Sequence, residues 1–230
     1  MDNRPQYPGR LVVMPQFLSA VCDLPKGYGR RIVDAIAAFL RNPNDPNLNQ
    51  EQLAGKAIGL RGIRVDDSCR IVLSGSQAVL LLYVGSSNQV CRYAGRAGAE
   101  ATAMAESPIA HQLHSCADPL WVFAPDQAAE SPSCGTPISV DDLARLIVRT
   151  RKYLPLAHLL LSRGPEIGSM ELRFRAIEAA LVAALPKAAR AGTKWWGNNH
   201  SSMHAFAWMA VGWKTSAVDL HTETVTFSRH

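Results

Sequence analysis

The order of segments between Phe17 and Ala94 most constrains what this chain can fold into. An apolar stretch from Phe17 leads to Leu24-Pro25-Lys26, a helix start, and the apolar positions of Arg30 to Leu40 recur at helical spacing until Asn42-Pro43 imposes a turn. A Lys/Arg-bearing segment follows whose apolar pieces, Leu60 to Val65 and Arg70 to Leu73, read as a strand pair, and then an apolar strand from Val79 to Gly85. Two short helices ahead of a small antiparallel sheet are therefore predicted. Lys56, Arg61, Arg64 and Arg70 sit on or beside its strands, where residues two apart share a face.

Composition excludes several classes. With 230 residues, 47% hydrophobic and 19% charged, the chain can bury one large core or two small ones. Its apolar runs stay below the roughly 18 to 20 residues of a membrane span, and the opening Met1-Asp2-Asn3-Arg4-Pro5 lacks the basic-then-apolar order of a signal peptide. A cytoplasmic protein with no membrane partner is expected. Five irregularly spaced cysteines, Cys22, Cys69, Cys91, Cys116 and Cys134, read as reduced thiols. His111, His114 and Cys116 lack further ligands nearby, and no metal is expected. Gly27 to Gly29 and Gly95 to Gly98 lack the spacing of a phosphate-binding loop, so no cofactor is expected either.

Charge divides the chain. Residues 1–100 and 138–230 are each net basic, whereas residues 101–137 carry four acids and no Lys or Arg, among Pro, Ala and Ser. That is linker composition. The expected organisation is a domain at 10–98, an acidic linker at 99–137 and a Trp-rich domain at 138–230. The apolar segment Pro119 to Phe123 should dock on one of the domains as an extended piece.

In the last third, Ser139 with Asp141 and Asp142 marks a helix N-terminus, Tyr153 to Leu161 reads as a second helix, and Arg175 to Ala183 as a third. A strand precedes it at Ser169 to Phe174, and another helix starts at Leu185-Pro186. His204 to Ala210 is helical, and Thr215 to Leu220 pairs with Thr224 to Phe227 as a terminal hairpin. The fold class is α+β, with helices plus an antiparallel sheet first and a helical domain with a β-hairpin, compatible with a winged helix, second.

The first hundred residues resemble the RelE/ParE toxin superfamily, particularly its helicase-associated members. Leu60, Ile63 and Val65 followed by Arg70 to Leu73 are similar to that family's strand pair, with Cys69 where it has an aromatic residue. The resemblance implies a sheet that presents cations to RNA, with acid–base work done by His, Glu or Tyr, and an antitoxin or other protein partner. Here Ser86 and Ser87 stand where the relatives have histidines, Cys91 stands at a tyrosine, and Tyr93 lies two positions late. The C-terminal segment resembles a bacterial domain of unknown function. It does so through Tyr153, Pro155 and Leu156; Phe174, Ile177, Glu178 and Leu181; Leu185, Pro186 and Ala189; Trp195, Trp196 and Asn198; Ala207 and Trp208; Ala210, Gly212 and Trp213; Val218 to Leu220; and Val225, Phe227 and Arg229.

Two function classes follow. One is a non-catalytic nucleic-acid-binding protein of a toxin–antitoxin or defence system, supported by the net charge of +5, which favours polyanions without distinguishing DNA from RNA. The other is an active RelE-type endoribonuclease or another block on translation or replication, with Lys56, Arg64, Arg70 and Tyr93 as candidate catalytic residues. The candidate nucleic-acid contacts are Lys56, Arg61, Arg64, Arg70, Arg92, Lys194, Trp195, Trp196, Asn198 and Asn199. In an extended segment the two adjacent tryptophans face opposite ways, so one is expected in the core and one is available to stack on a base.

Overall fold

Four consecutive apolar residues, Val79 to Leu82, are all buried, which requires cover on both faces of the strand that carries them. In a computed structural model of the chain, which describes residues 10–53, 59–75, 79–96, 120–123, 135–164 and 166–229, that strand is central. The strands β1 (Arg10–Val13), β2 (Glu51–Gln52), β3 (Arg61–Arg64), β4 (Cys69–Ser74), β5 (Val79–Ser86), β6 (Leu120–Phe123) and β7 (Thr136–Ser139) form one sheet in the order β2-β3-β4-β5-β1-β6-β7. From β2 to β5 it is antiparallel, as the sequence predicts; β1, which the sequence reading missed, joins β5 in parallel.

Helices α1 (Pro15–Asp23) and α2 (Tyr28–Arg41) cover one face. The stripe Ile32, Val33, Ile36 and Phe39 of α2 and Phe17, Leu18 and Val21 of α1 pack on Leu11, Val13, Ile63, Ile71, Leu73 and Leu81. Helix α3 (Ser87–Arg96) covers the other, setting Val90 and Ala94 against Val12, Val72, Leu80 and Leu82.

The segment read as a linker is part of this architecture. Leu120–Phe123 pairs antiparallel with β1, and Thr136–Ser139 pairs parallel with Leu120–Phe123. The expected docking of Pro119 to Phe123 thus takes the form of strand addition, and the boundary at residue 138 falls inside β7. Separation into two cores does not follow either, because Leu143, Leu146, Ile147, Leu154, Leu160 and Trp208 belong to the same buried cluster as Phe17 and Ile36. Pro and Ser content marks turns; it does not report the apolar strands between them. His111, His114, Cys116 and Cys134 lie outside the described residues.

After β7, α4 (Val140–Ala144) is capped by Ser139, whose Oγ accepts from Asp142 N at 3.0 Å, and continues as a π turn over Arg145–Arg149. Thr150, fully buried, closes that turn by donating to Leu146 O at 2.6 Å. Then come α5 (Leu154–Leu161), β8 (Ser169–Arg173), α6 (Phe174–Leu181), α7 (Lys187–Ala191), a 3-10 turn at Thr193–Trp196, α8 (Met203–Met209), β9 (Trp213–Asp219) and β10 (Thr224–Arg229). The last three strands form a second sheet in the order β8-β10-β9 that includes the predicted hairpin.

Gly212 joins the two sheets sterically. Its φ is +81°, and a Cβ there would lie 2.5 Å from Oγ1 of Thr136 in β7. Gly212→Ala is expected to lower stability by about 1 to 3 kcal/mol in urea unfolding, from backbone strain plus the clash. Adding Thr136→Ala should recover only the part due to the clash.

Candidate functional site

Register places two arginines side by side. Arg64 of β3 is the direct cross-strand partner of Arg70 of β4, on the sheet face that α3 covers. Like charges directly opposite are destabilising, and each is neutralised locally. Arg64 is ion-paired with Asp67. Arg70 donates from Nε to Glu51 Oε1 at 2.5 Å and from Nη1 to Ser87 Oγ at 3.0 Å. The turn between the strands is locked by Asp66, whose Oδ1 accepts from Ser68 N and Cys69 N, both at 2.9 Å, and whose Oδ2 takes Arg31 Nη1 at 2.8 Å. Partial burial works against ionisation of Asp66, and the bonds from Ser68, Arg31 and Cys69 overcome it, so its pKa is lowered.

Gly85 lies opposite Arg70 and leaves room on that face. A Cβ there would meet Gln89 Oε1 at 2.9 Å and Tyr83 Cε1 at 3.0 Å. Ser86 and Gln89 form a capping box for α3: Gln89 Oε1 accepts from Ser86 N at 2.8 Å, and Ser86 Oγ accepts from Gln89 N at 3.4 Å. Ser86 therefore starts a helix. Farther along α3, Tyr93 stacks on Tyr83 with ring centroids 4.8 Å apart and planes within 7°. Cys91 and Arg92 face solvent.

Of the sequence candidates, Arg64, Arg70 and Tyr93 thus belong to one face. Arg61 does not, because alternation along β3 sends it to the opposite face; there it donates to Gly75 O at 3.0 Å, and burial lowers its pKa. Lys56 lies outside the described residues. Glu51, Asp67, Tyr83 and Gln89 join the site unforeseen. The Ser86-to-Gln89 spacing alone was legible in advance, as a capping box.

The tryptophan pair lies in a 3-10 turn and not in an extended segment, and one member, Trp196, is in the core. Trp196 is 1% exposed, donates from Nε1 to Ala189 O at 2.8 Å and stacks on Phe174. Trp195 is half-buried, but one ring face is already occupied by His204, with centroids 4.1 Å apart and planes 9° off parallel. His204 also donates from Nε2 to Trp195 O at 2.8 Å.

The neighbouring amides are exposed and also hydrogen-bond within the fold. Asn198 Oδ1 accepts from Trp208 Nε1 at 3.1 Å and from Thr215 N at 2.9 Å, and its Nδ2 donates to Thr215 O at 2.9 Å. Asn199 Oδ1 accepts from Ser201 N at 2.9 Å. Lys194 is exposed.

Other motif residues are engaged in the same way. Glu178 Oε1 accepts from Leu185 N at 2.9 Å, Asp219 Oδ1 accepts from His221 N at 2.8 Å in the hairpin turn, and Arg229 Nε donates to Ile167 O at 2.9 Å. Residues 153–230 match the family described as a Domain of unknown function (DUF7662). No curated protein and no solved structure matches the chain. The matched span runs from the last residue before α5 through β10, and the polar motif residues within it hold turns and strands together.

Trp196→Ala is expected to cost about 3 to 5 kcal/mol in chemical denaturation, as for other buried large aromatics, and Trp195→Ala distinctly less. The histidines set a pH dependence. Burial lowers the pKa of both His158 and His204 below the ordinary 6.5, outweighing the raising effects of Asp23 on the first and of the bond to Trp195 on the second. The unfolded chain then binds protons that the folded chain refuses, so on their account stability falls as pH drops below about 6.5 and is flat above it. His204→Gln should flatten that slope in unfolding curves taken across the range.

Proposed function

We propose that this protein binds nucleic acid as a component of a toxin–antitoxin or defence system, and that its RelE-like half retains a backbone-gripping face while lacking the groups that cleave. The observation that carries the proposal is the pairing of Arg64 with Arg70 on the face that also holds the stacked Tyr83 and Tyr93. Two guanidiniums in adjacent strands offer a cluster of charged N–H donors for backbone phosphates, and tyrosine rings offer a surface for bases.

Further support comes from the order of elements, two helices followed by antiparallel strands with basic residues, which is what the toxin resemblance implies. The C-terminal order of helix, strand, helices and hairpin, with its β8-β10-β9 sheet, suits a winged-helix binder by analogy of fold. Against cleavage stand Ser86, used as a helix cap, and Cys91, an exposed thiol at the position of the relatives' tyrosine. A second reading, residual ribonuclease activity, is favoured by Glu51, a carboxylate held against Arg70.

Binding requires phosphate to displace Glu51 and Asp67 from the arginines. Glu51→Gln is therefore expected to tighten binding of single-stranded RNA or duplex DNA in a salt titration. Arg64→Ala with Arg70→Ala should weaken it and reduce the log–log salt slope by roughly 0.7 to 0.9 per lost phosphate contact. An unchanged slope would remove these arginines from the interface. Accumulation of RNA fragments with the wild type, abolished by Glu51→Gln, would establish the ribonuclease in place of the binder.

A further inference from the structure

We propose that the C-terminal half contacts duplex DNA through α6, the turn after it and α7, with Arg175, Lys187 and Lys194 on phosphates and Val182 against the groove; this rests on the nucleic-acid reading above and assigns its second surface. The alternation along α6 is plain: Phe174, Ile177 and Leu181 are buried, while Arg175 and Ala179 face outward and lead to Val182 at the helix end. Val182 is 91% exposed and adopts a left-handed conformation, φ +50° and ψ 34°. That conformation is unfavourable for a β-branched residue, and exposure of its side chain gains nothing within the chain.

The turn continues with exposed Ala183 and Ala184, is anchored by buried Leu185, and enters α7, where Ala189 is buried and Lys187, Ala188 and Ala191 face outward. Small side chains here let a nucleic-acid backbone approach closely. Arg175, Lys187 and Lys194 are exposed in the same stretch of chain, with Arg175 near enough to Glu178 to help hold its carboxyl ionised, while the salt bridges among the described residues of this stretch engage Arg190. Arg190 is bound to Glu178 at 2.8 Å and also to Glu223 in the hairpin, so it fastens α7 to α6 and to the hairpin turn. Four cations, Arg175, Lys187, Arg190 and Lys194, against the two carboxylates Glu178 and Glu223 leave this stretch net basic.

The outer face of the second sheet is unsuited to the same partner. Its open cleft is lined by Glu171, Asp219, Arg173 and three threonines, a mixed-charge surface that would repel phosphate at two points. Duplex DNA is preferred over duplex RNA because the wide major groove of B-form DNA admits a helix, whereas the deep, narrow A-form groove does not.

The test uses the full chain and a fluorescein-labelled mixed-sequence DNA duplex, with the RNA duplex of the same sequence in parallel, in anisotropy titrations over several salt concentrations. Lys187→Ala combined with Lys194→Ala should weaken DNA binding and lower the salt slope by about 0.9 for each lost phosphate contact. Val182→Gly should raise the melting temperature by relieving the left-handed strain, yet weaken DNA binding. Arg173→Ala, on the mixed-charge face, should leave binding unchanged. If the double alanine variant melts early, the double glutamine variant takes its place.

Wild-type DNA binding that survives the lysine changes intact overturns the proposal while leaving nucleic-acid binding by the Arg64 and Arg70 face in force. Preference for the RNA duplex, or loss of DNA binding with Arg173→Ala alone, also overturns it. Absence of binding to either duplex and to single-stranded RNA overturns both this surface and the function it rests on.

Discussion

The contact between α1 and α5 is the one on which the rest of the molecule depends. Helix α5 is apolar nearly all round, and Leu154, Leu156, Ala157, Leu160 and Leu161 are buried because α1 lies on one side and α6 and α8 on another. Each buried leucine contributes about 1.5 to 3 kcal/mol relative to exposure, so this helix carries a substantial share of the hydrophobic stabilisation. Arg151, just ahead of it, donates to the carbonyls of Cys22 and Leu24 at the end of α1. Those carbonyls lack intrahelical partners, and the guanidinium also complements the negative end of the helix dipole. A single side chain thus ties the first helix of the chain to the start of its C-terminal module. The sheet face above α1 and the helices below α5 belong to one core for this reason.

That continuity holds the two basic surfaces in a set relation. The Arg64 and Arg70 pair sits on the α3 side of the large sheet, while the C-terminal helices build on the side of α1 and α2. Neither covers the other. At the first surface, carboxylates from Glu51 and Asp67 are ion-paired with the two arginines. Exposed ion pairs of this kind contribute little to stability.

In the C-terminal module the aromatic cluster is packing first. Trp196, Trp208, Phe174 and Phe227 fill the space between α6, α8 and the second sheet, and Asn198 satisfies the indole N–H of Trp208 together with the backbone of Thr215 at the edge of β9. A buried indole without such an acceptor would cost free energy comparable to a lost hydrogen bond. Many of the aromatic and polar residues of this segment are contacts that close its core and turns.

Local rules in the sequence determined the α+β class, the antiparallel run from β3 to β5, the cap at Ser139, the α5 start at Pro155 and the terminal hairpin. Each depends on periodicity, a capping side chain or a turn within a few residues. Composition also separated basic ends from an acidic middle, yet it misjudged the middle, since pairing of Leu120–Phe123 with β1 joins residues more than a hundred positions apart. Only tertiary structure decided that Arg61 and Arg64 face opposite sides, that Glu51 and Tyr83 share the site with Arg70, and that Asn198 bonds to Trp208 and Thr215. Partners in space follow from strand register and from which helix covers which face. No window of sequence encodes either, because both are set by burying all the apolar faces at once.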